Sequence, residues 1–147
     1  MQEFYFMKLI IAAIRNSRLA RWLPALLIML IIFWFSSRPN SSLPSFDWAD
    51  VIVKKSGHMV GYALLALSYW HAFDFNRENR WSAWLLAILY AATDEFHQSF
   101  TVGRHPSAWD VLIFDNLGAL ISLWLATLYI KRKQPDHTNL VVEKPKL

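Results

Sequence analysis

Asp94 to Gly118 reads DEFHQSFTVGRHPSAWDVLIFDNLG and lies across the junction of two runs, about Trp81 to Phe100 and about Ala108 to Ile130, that otherwise read as membrane-spanning helices. Carboxylates, a histidine, a glutamine and an arginine are costly in hydrocarbon. At membrane depth such groups face a bundle interior or a wet cavity and have partners there, so the segment marks the functional end of an embedded helix bundle.

Outward from this junction lie two more apolar runs, about Leu19 to Phe35 and about Gly57 to Phe73, against the roughly 20 residues that a spanning helix needs. About 20 residues precede the first, and only SSRPNSS follows Phe35, without a small-x-small cleavage site, so the run reads as an uncleaved span. The expected fold is all-α, an integral membrane four-helix bundle. An N-terminal amphipathic helix at the inner interface is added by Phe4, Met7, Ile11 and Ile14, which recur at helical spacing with Lys8 and Arg15 among the polar positions. A start at Met7 fits as well as one at Met1. Residues 1–18 are then a cytoplasmic or interfacial segment, 19–130 the four-span domain and 131–147 a cytoplasmic tail.

Composition agrees: of 147 residues, 55% are hydrophobic and 18% charged, and the apolar ones are clustered. Trp22, Trp34, Trp48, Trp70, Trp81 and Trp109 fall near run ends, as interface belt residues do. The absence of cysteine excludes disulfides and thiolate chemistry. No tight His/Asp/Glu ligand motif stands in the chain, so neither a metal nor another cofactor is implied. The net charge of +4 sits in short blocks beside apolar runs, not along one helical face, and so reads as topology instead of a nucleic-acid surface. Lys8, Arg15, Arg18, Arg21, Arg77, Arg80 and the basic residues after Ile130 fall on one side, with Arg38, Lys54, Lys55 and Arg104 on the other. By the positive-inside rule both termini are cytoplasmic, and the polar cluster is extracytoplasmic.

Within the cluster, Lys55, His58 and Tyr62 are spaced to share one helical face, and Gly57 and Gly61 beside them would admit a neighbouring helix. Asp94 and Glu95 point about 100° apart on a helix, so they cannot serve one small site equally. One, with Glu95 the first candidate, is expected to handle protons with His58, while the other pairs with Lys55 or Arg104. Gln98, one turn on, and Tyr62 would orient a bound group. His97 is a weaker candidate that faces lipid headgroups. In TVGRHPSAWD, Gly103 supplies turn freedom and Pro106 ends the preceding helix. Ser107 with Asp110 has the form of a capping box opening the last span. A helix N-terminus there, with Arg104's two-pronged guanidinium and Lys55 nearby, suits a phosphate. Asp115 lies about 140° around an ideal helix from Asp110, so only a bulge or a wide pocket brings both to one cavity, and Gly118 beyond it is a further point of close helix contact.

These residues resemble the VanZ-like family of small bacterial membrane proteins. The resemblance rests on Ser36 and Ser37, on Lys55, His58 and Tyr62 as K-x-x-H-x-x-x-Y, and on D-E-x-x-Q-x-F-x-x-G-R-x-x-S-x-x-D from Asp94 to Asp110, ending in Gly118. It covers roughly Trp22 to Ile130. One position departs: the family commonly has Asn or Asp four residues after the motif aspartate, where this chain has Phe114, with Asp115 one later. The family takes its name from a protein associated with low-level teicoplanin resistance, which implies a role at the bacterial cell envelope and a possible link to glycopeptide resistance.

The expected function is an extracytoplasmic pocket in the bacterial inner membrane that binds an anionic lipid or lipid-linked cell-wall precursor. Lys55, Arg104, Gln98, Tyr62, Ser107 and Asp110 would bind it, and Glu95, Asp94 and His58 would supply any catalysis. No nucleophile stands out, so water would attack in a hydrolase. The competing reading is a non-catalytic envelope module whose polar network fixes helix packing. A proton-coupled transporter ranks last, because the last two spans become uniformly apolar toward the cytoplasm.

Overall fold

The computed structural model describes residues 4–5, 17–39 and 47–133. Among them are four helices and no strand: α1 Leu23–Ser36, α2 Asp50–Ala72, α3 Arg80–Gln98 and α4 Asn116–Lys133, the last entered through a π-helical turn at Asp110–Asp115. The N-terminal amphipathic segment and the C-terminal tail lie outside the described residues.

The expected apolar runs locate the helices but not their ends. α2 begins seven residues before the run at Gly57, because Lys54 and Lys55 are helical yet too polar to be counted as apolar. Ser36 is the last residue of α1. Among the described residues, only Asp110–Lys133, 24 residues, is both long and apolar enough to cross a membrane. α1 has 14 residues, and α2 and α3 are long enough but carry His58, Asp94, Glu95 and other polar groups in their turns at the Ser36 end of the bundle.

α2 is the central helix and packs against the other three. The closest approach is to α4 at Gly118, where a Cβ would overlap the Met59 carbonyl oxygen and stand 2.9 Å from its carbonyl carbon. Gly57 faces open space instead, and a Cβ at Gly61 would sit 3.7 Å from Ile32, an ordinary contact. Of the three glycines that the sequence marks for close helix contact, Gly57, Gly61 and Gly118, only Gly118 meets a neighbouring backbone, since spacing says which residues share a face but not which neighbour is nearest. α3 presents Ala83, Ala87 and Ala91 inward, all fully buried, a small-residue stripe that lets helices pack closely.

Polar side chains tie helix to helix, as packing does where a partner is apolar on every side. Tyr90 Oη donates to Met29 O at 2.7 Å, Trp84 Nε1 to Asn116 Oδ1 at 2.8 Å, and Ser122 Oγ to Ala63 O at 3.1 Å. Trp70 is not a belt residue: it is fully buried and donates through Nε1 to Asn76 O at 2.8 Å. Trp34, Trp48, Trp81 and Trp109 are exposed.

Candidate functional site

At the Ser36 end of the bundle the polar residues separate into two groups. The first holds the fold together. Lys55 Nζ meets Asp110 Oδ1 at 2.6 Å and lies 4.4 Å from the Phe114 ring centre, fastening α2 to the π turn. Glu95, in the last turn of α3, accepts at Oε2 from the Ser107 backbone N–H at 2.8 Å. A carboxylate there answers one of the unfilled donors where the next helix is about to start. The expected capping box is thus not formed. Glu95 takes the acceptor role on the Ser107 amide, and Asp110 turns its carboxylate to the stronger partner, Lys55.

Arg104 also belongs to this group. Its Nη2 donates to Phe35 O at 2.7 Å and its Nε to Arg38 O at 3.2 Å, so the two-pronged fork expected for a phosphate clasps carbonyls at the C-terminal end of α1. Gly103, at φ 73°, makes the turn that brings it there. His97 rests against the end of α1. It lies over Phe33 at 4.7 Å between ring centres, with Nε2 3.0 Å from Ser37 Oγ. The expected pairing of Asp94 or Glu95 with Lys55 or Arg104 is absent, because both cations find nearer oxygens.

Lysine keeps the charge of arginine but not the planar fork that spans two acceptors. Arg104→Lys should therefore lose about 1 kcal/mol of stability and Arg104→Ala about 2, at about 1 kcal/mol per net hydrogen bond. Thermal unfolding in detergent measures both. Wild-type stability in Arg104→Lys would remove the double-carbonyl clasp from this account.

The second group surrounds a cavity of about 370 Å³ between α1, α2 and the end of α3. Its walls are mostly apolar, with Ile31, Ile32, Phe35 and Val60 among them, and Lys54 and Arg104 also line it. Ser36, His58, Tyr62, Asp94 and Gln98 supply its polar lining. Gln98 Nε2 donates to Asp94 Oδ2 at 3.0 Å, one turn away on α3. Asp94 Oδ1, Tyr62 Oη and Ser36 Oγ are buried without a close hydrogen-bond partner, on side chains only 4%, 1% and 4% exposed, and the Tyr62 hydroxyl lies toward the Asp94 carboxylate. Buried polar groups are rarely left so, and three around one cavity make it the candidate binding site.

His58 links the two groups. It lines the cavity while its Nδ1 faces Asp115 Oδ1 at 3.4 Å, and Asp115 is wholly buried. Asp115 reaches this place through the π turn. The backbone N–H of Asn116 bonds Val111 O, five residues back, and such a turn gives residues five apart nearly the relation that residues four apart have in an α-helix. Asp115 therefore falls where Phe114 would stand in a regular helix, which accounts for the displaced acidic position. The bulge that the sequence required for Asp110 and Asp115 to face one side is present.

Of the sequence-selected residues, His58, Tyr62, Asp94, Gln98 and Arg104 meet at the cavity, while Lys55, Glu95, Ser107 and Asp110 hold its frame. Ser36 was read only as part of a motif. Its burial depends on where α3 and the 99–107 loop cross α1, which spacing does not give.

A family model described as VanZ/LLP1 matches residues 21–130, which include α1 to α4 nearly entire and every cavity residue named above. No curated protein and no solved structure matches the chain.

Proposed function

The chain belongs to the VanZ/LLP1 family, and on that premise we propose that it is an envelope membrane protein whose extracytoplasmic cavity holds the polar end of a membrane lipid or lipid-linked cell-wall precursor. The observation that carries this reading is the cavity itself: apolar walls for a hydrocarbon chain, and three buried, unpartnered polar groups at its polar lining.

Embedding is supported by the distribution of side chains. The interior is alanine-rich and holds Asp94, Glu95, Gln98 and Asp115, while Leu26, Leu30, Phe33, Leu64, Leu89 and Trp124 are turned outward. A soluble protein rarely exposes apolar surface on this scale, whereas in lipid those side chains are solvated by acyl chains. With α4 spanning, α1 to α3 would complete a multi-pass bundle in the bacterial cytoplasmic membrane. We expect Ser41→Cys to be labelled by an impermeant maleimide in intact cells and Thr138→Cys only after the membrane is breached. The reverse pattern would put the cavity on the cytoplasmic side.

A filled cavity tests lipid binding. Gly57 lines it, and a Cβ there meets nothing within 4 Å, so Gly57→Leu should occupy the space without moving the backbone. Phospholipid co-purifying with this variant should fall by about threefold or more, as expected when a ligand's place is taken by a side chain. Unchanged lipid content would refute the cavity as the binding place. Any chemistry on a bound head would fall to Asp94 and His58, because Glu95 is held by the Ser107 amide.

The second reading, a packing network without a ligand, is favoured by the Lys55 to Asp110, Glu95 to Ser107 and Arg104 to Phe35 ties. It accounts for the frame and leaves the three bare oxygens of the cavity without a role.

A further inference from the structure

We propose that the cavity selects a phospholipid whose headgroup ends in a primary ammonium, held at Asp94, Ser36 and Tyr62 while its phosphate lies toward Arg104 and Lys54. This rests on the lipid-binding reading above and narrows it from lipids in general to one headgroup chemistry.

The cavity presents three buried oxygens without a partner, Asp94 Oδ1, Ser36 Oγ and Tyr62 Oη, and all three residues line the same space of about 370 Å³. A primary ammonium has three N–H donors and no acceptor, one donor for each oxygen. It also brings positive charge to a carboxylate whose other oxygen has only the neutral Gln98 amide. The basic side chains of Arg104 and Lys54 line the same cavity. Arg104 spends two of a guanidinium's five donors on carbonyls, which leaves others for a phosphate oxygen.

Other common heads fit less well. A quaternary ammonium has no N–H and would cover the three oxygens with methyl groups. A phosphate with no cationic end would set anion beside Asp94, and a glycerol head brings hydroxyl donors but no charge to offset the carboxylate. Acidic lipids, which the charge pattern alone suggested, are therefore the poorer match to the inner wall.

The test is competitive lipid binding to the full chain in detergent, followed by native mass spectrometry, with ethanolamine, choline and glycerol phospholipids of identical acyl chains. We expect the ethanolamine lipid to bind about tenfold more tightly than either of the others, the scale of a charge-assisted hydrogen bond set. In Asp94→Asn, which keeps the side-chain volume, that preference should shrink to about threefold or less, while binding of the choline lipid stays the same. Preference for the glycerol lipid, equal binding of all three, or an undiminished preference in Asp94→Asn would overturn the headgroup assignment. Gly57→Leu separates this from the broader reading. If it weakens every lipid alike and the heads are not distinguished, the cavity binds lipid without this selectivity; if it weakens none, the lipid-binding reading itself fails.

Discussion

Gly118→Ala should be the most damaging conservative substitution in the bundle, lowering stability by about 2 to 4 kcal/mol. The added methyl would overlap the Met59 carbonyl oxygen. A backbone carbonyl cannot rotate away as a flexible side chain can, so α2 and α4 must separate along their shared contact, at the usual cost of overpacking. Alanine is the better helix former by about 1 kcal/mol, which offsets only part of that cost. Gly57→Ala supplies the matched control. It makes the same chemical change on a helix facing open space, and there the gain in helix propensity should appear almost unopposed. Thermal unfolding of both variants in one detergent measures the difference. Equal stabilities would mean that α2 and α4 are not in backbone contact at Gly118, and the register of Asp115 with His58 would lose its basis.

That contrast marks where the sequence was informative. Helical periodicity and the cost of polar groups in apolar runs located all four helices and the end of the bundle where the polar side chains gather. The turn residues Gly103 and Pro106 located the loop, and the angular argument for Asp110 and Asp115 required a bulge that the π turn provides. Partner choice was not legible. Lys55 has a four-carbon stem and could have reached several acids, and only the position of the π turn decides for Asp110. Arg104 had the fork geometry that suits a phosphate, but the same geometry fits two adjacent carbonyls, and α1 ends within its reach. Trp70 has the composition of a belt residue at a run end. Its burial follows from the chain folding back after α2, where Asp74 and Phe75 take left-handed φ of 60° and 54° and bring Asn76 O to the indole.

Asp94→Asn should cut retention of an ethanolamine phospholipid to about a third or less with little loss of stability, while Glu95→Gln should do nearly the opposite. The two acids are adjacent in sequence and both buried, yet their oxygens have different occupations. Glu95 Oε2 receives the Ser107 N–H, and a glutamine oxygen can still accept that bond without the charge, for a loss of about 1 kcal/mol. The cavity is otherwise untouched, so lipid should remain. Asp94 gives one oxygen to Gln98 and leaves the other bare in the cavity lining. Asparagine can keep the Gln98 bond through its carbonyl oxygen, but it then places an amide donor where the acceptor stood. Folding is spared because the space is filled and the helix contact persists; an incoming donor is repelled. We expect ethanolamine phospholipid retained by purified Asp94→Asn to fall about threefold or more, with its unfolding midpoint close to wild type. Phosphorus content and thermal unfolding, measured on the same preparations, separate the two roles. Equal stability losses in both variants with lipid retained in each would return Asp94 to the packing network and favour the ligand-free reading of the bundle.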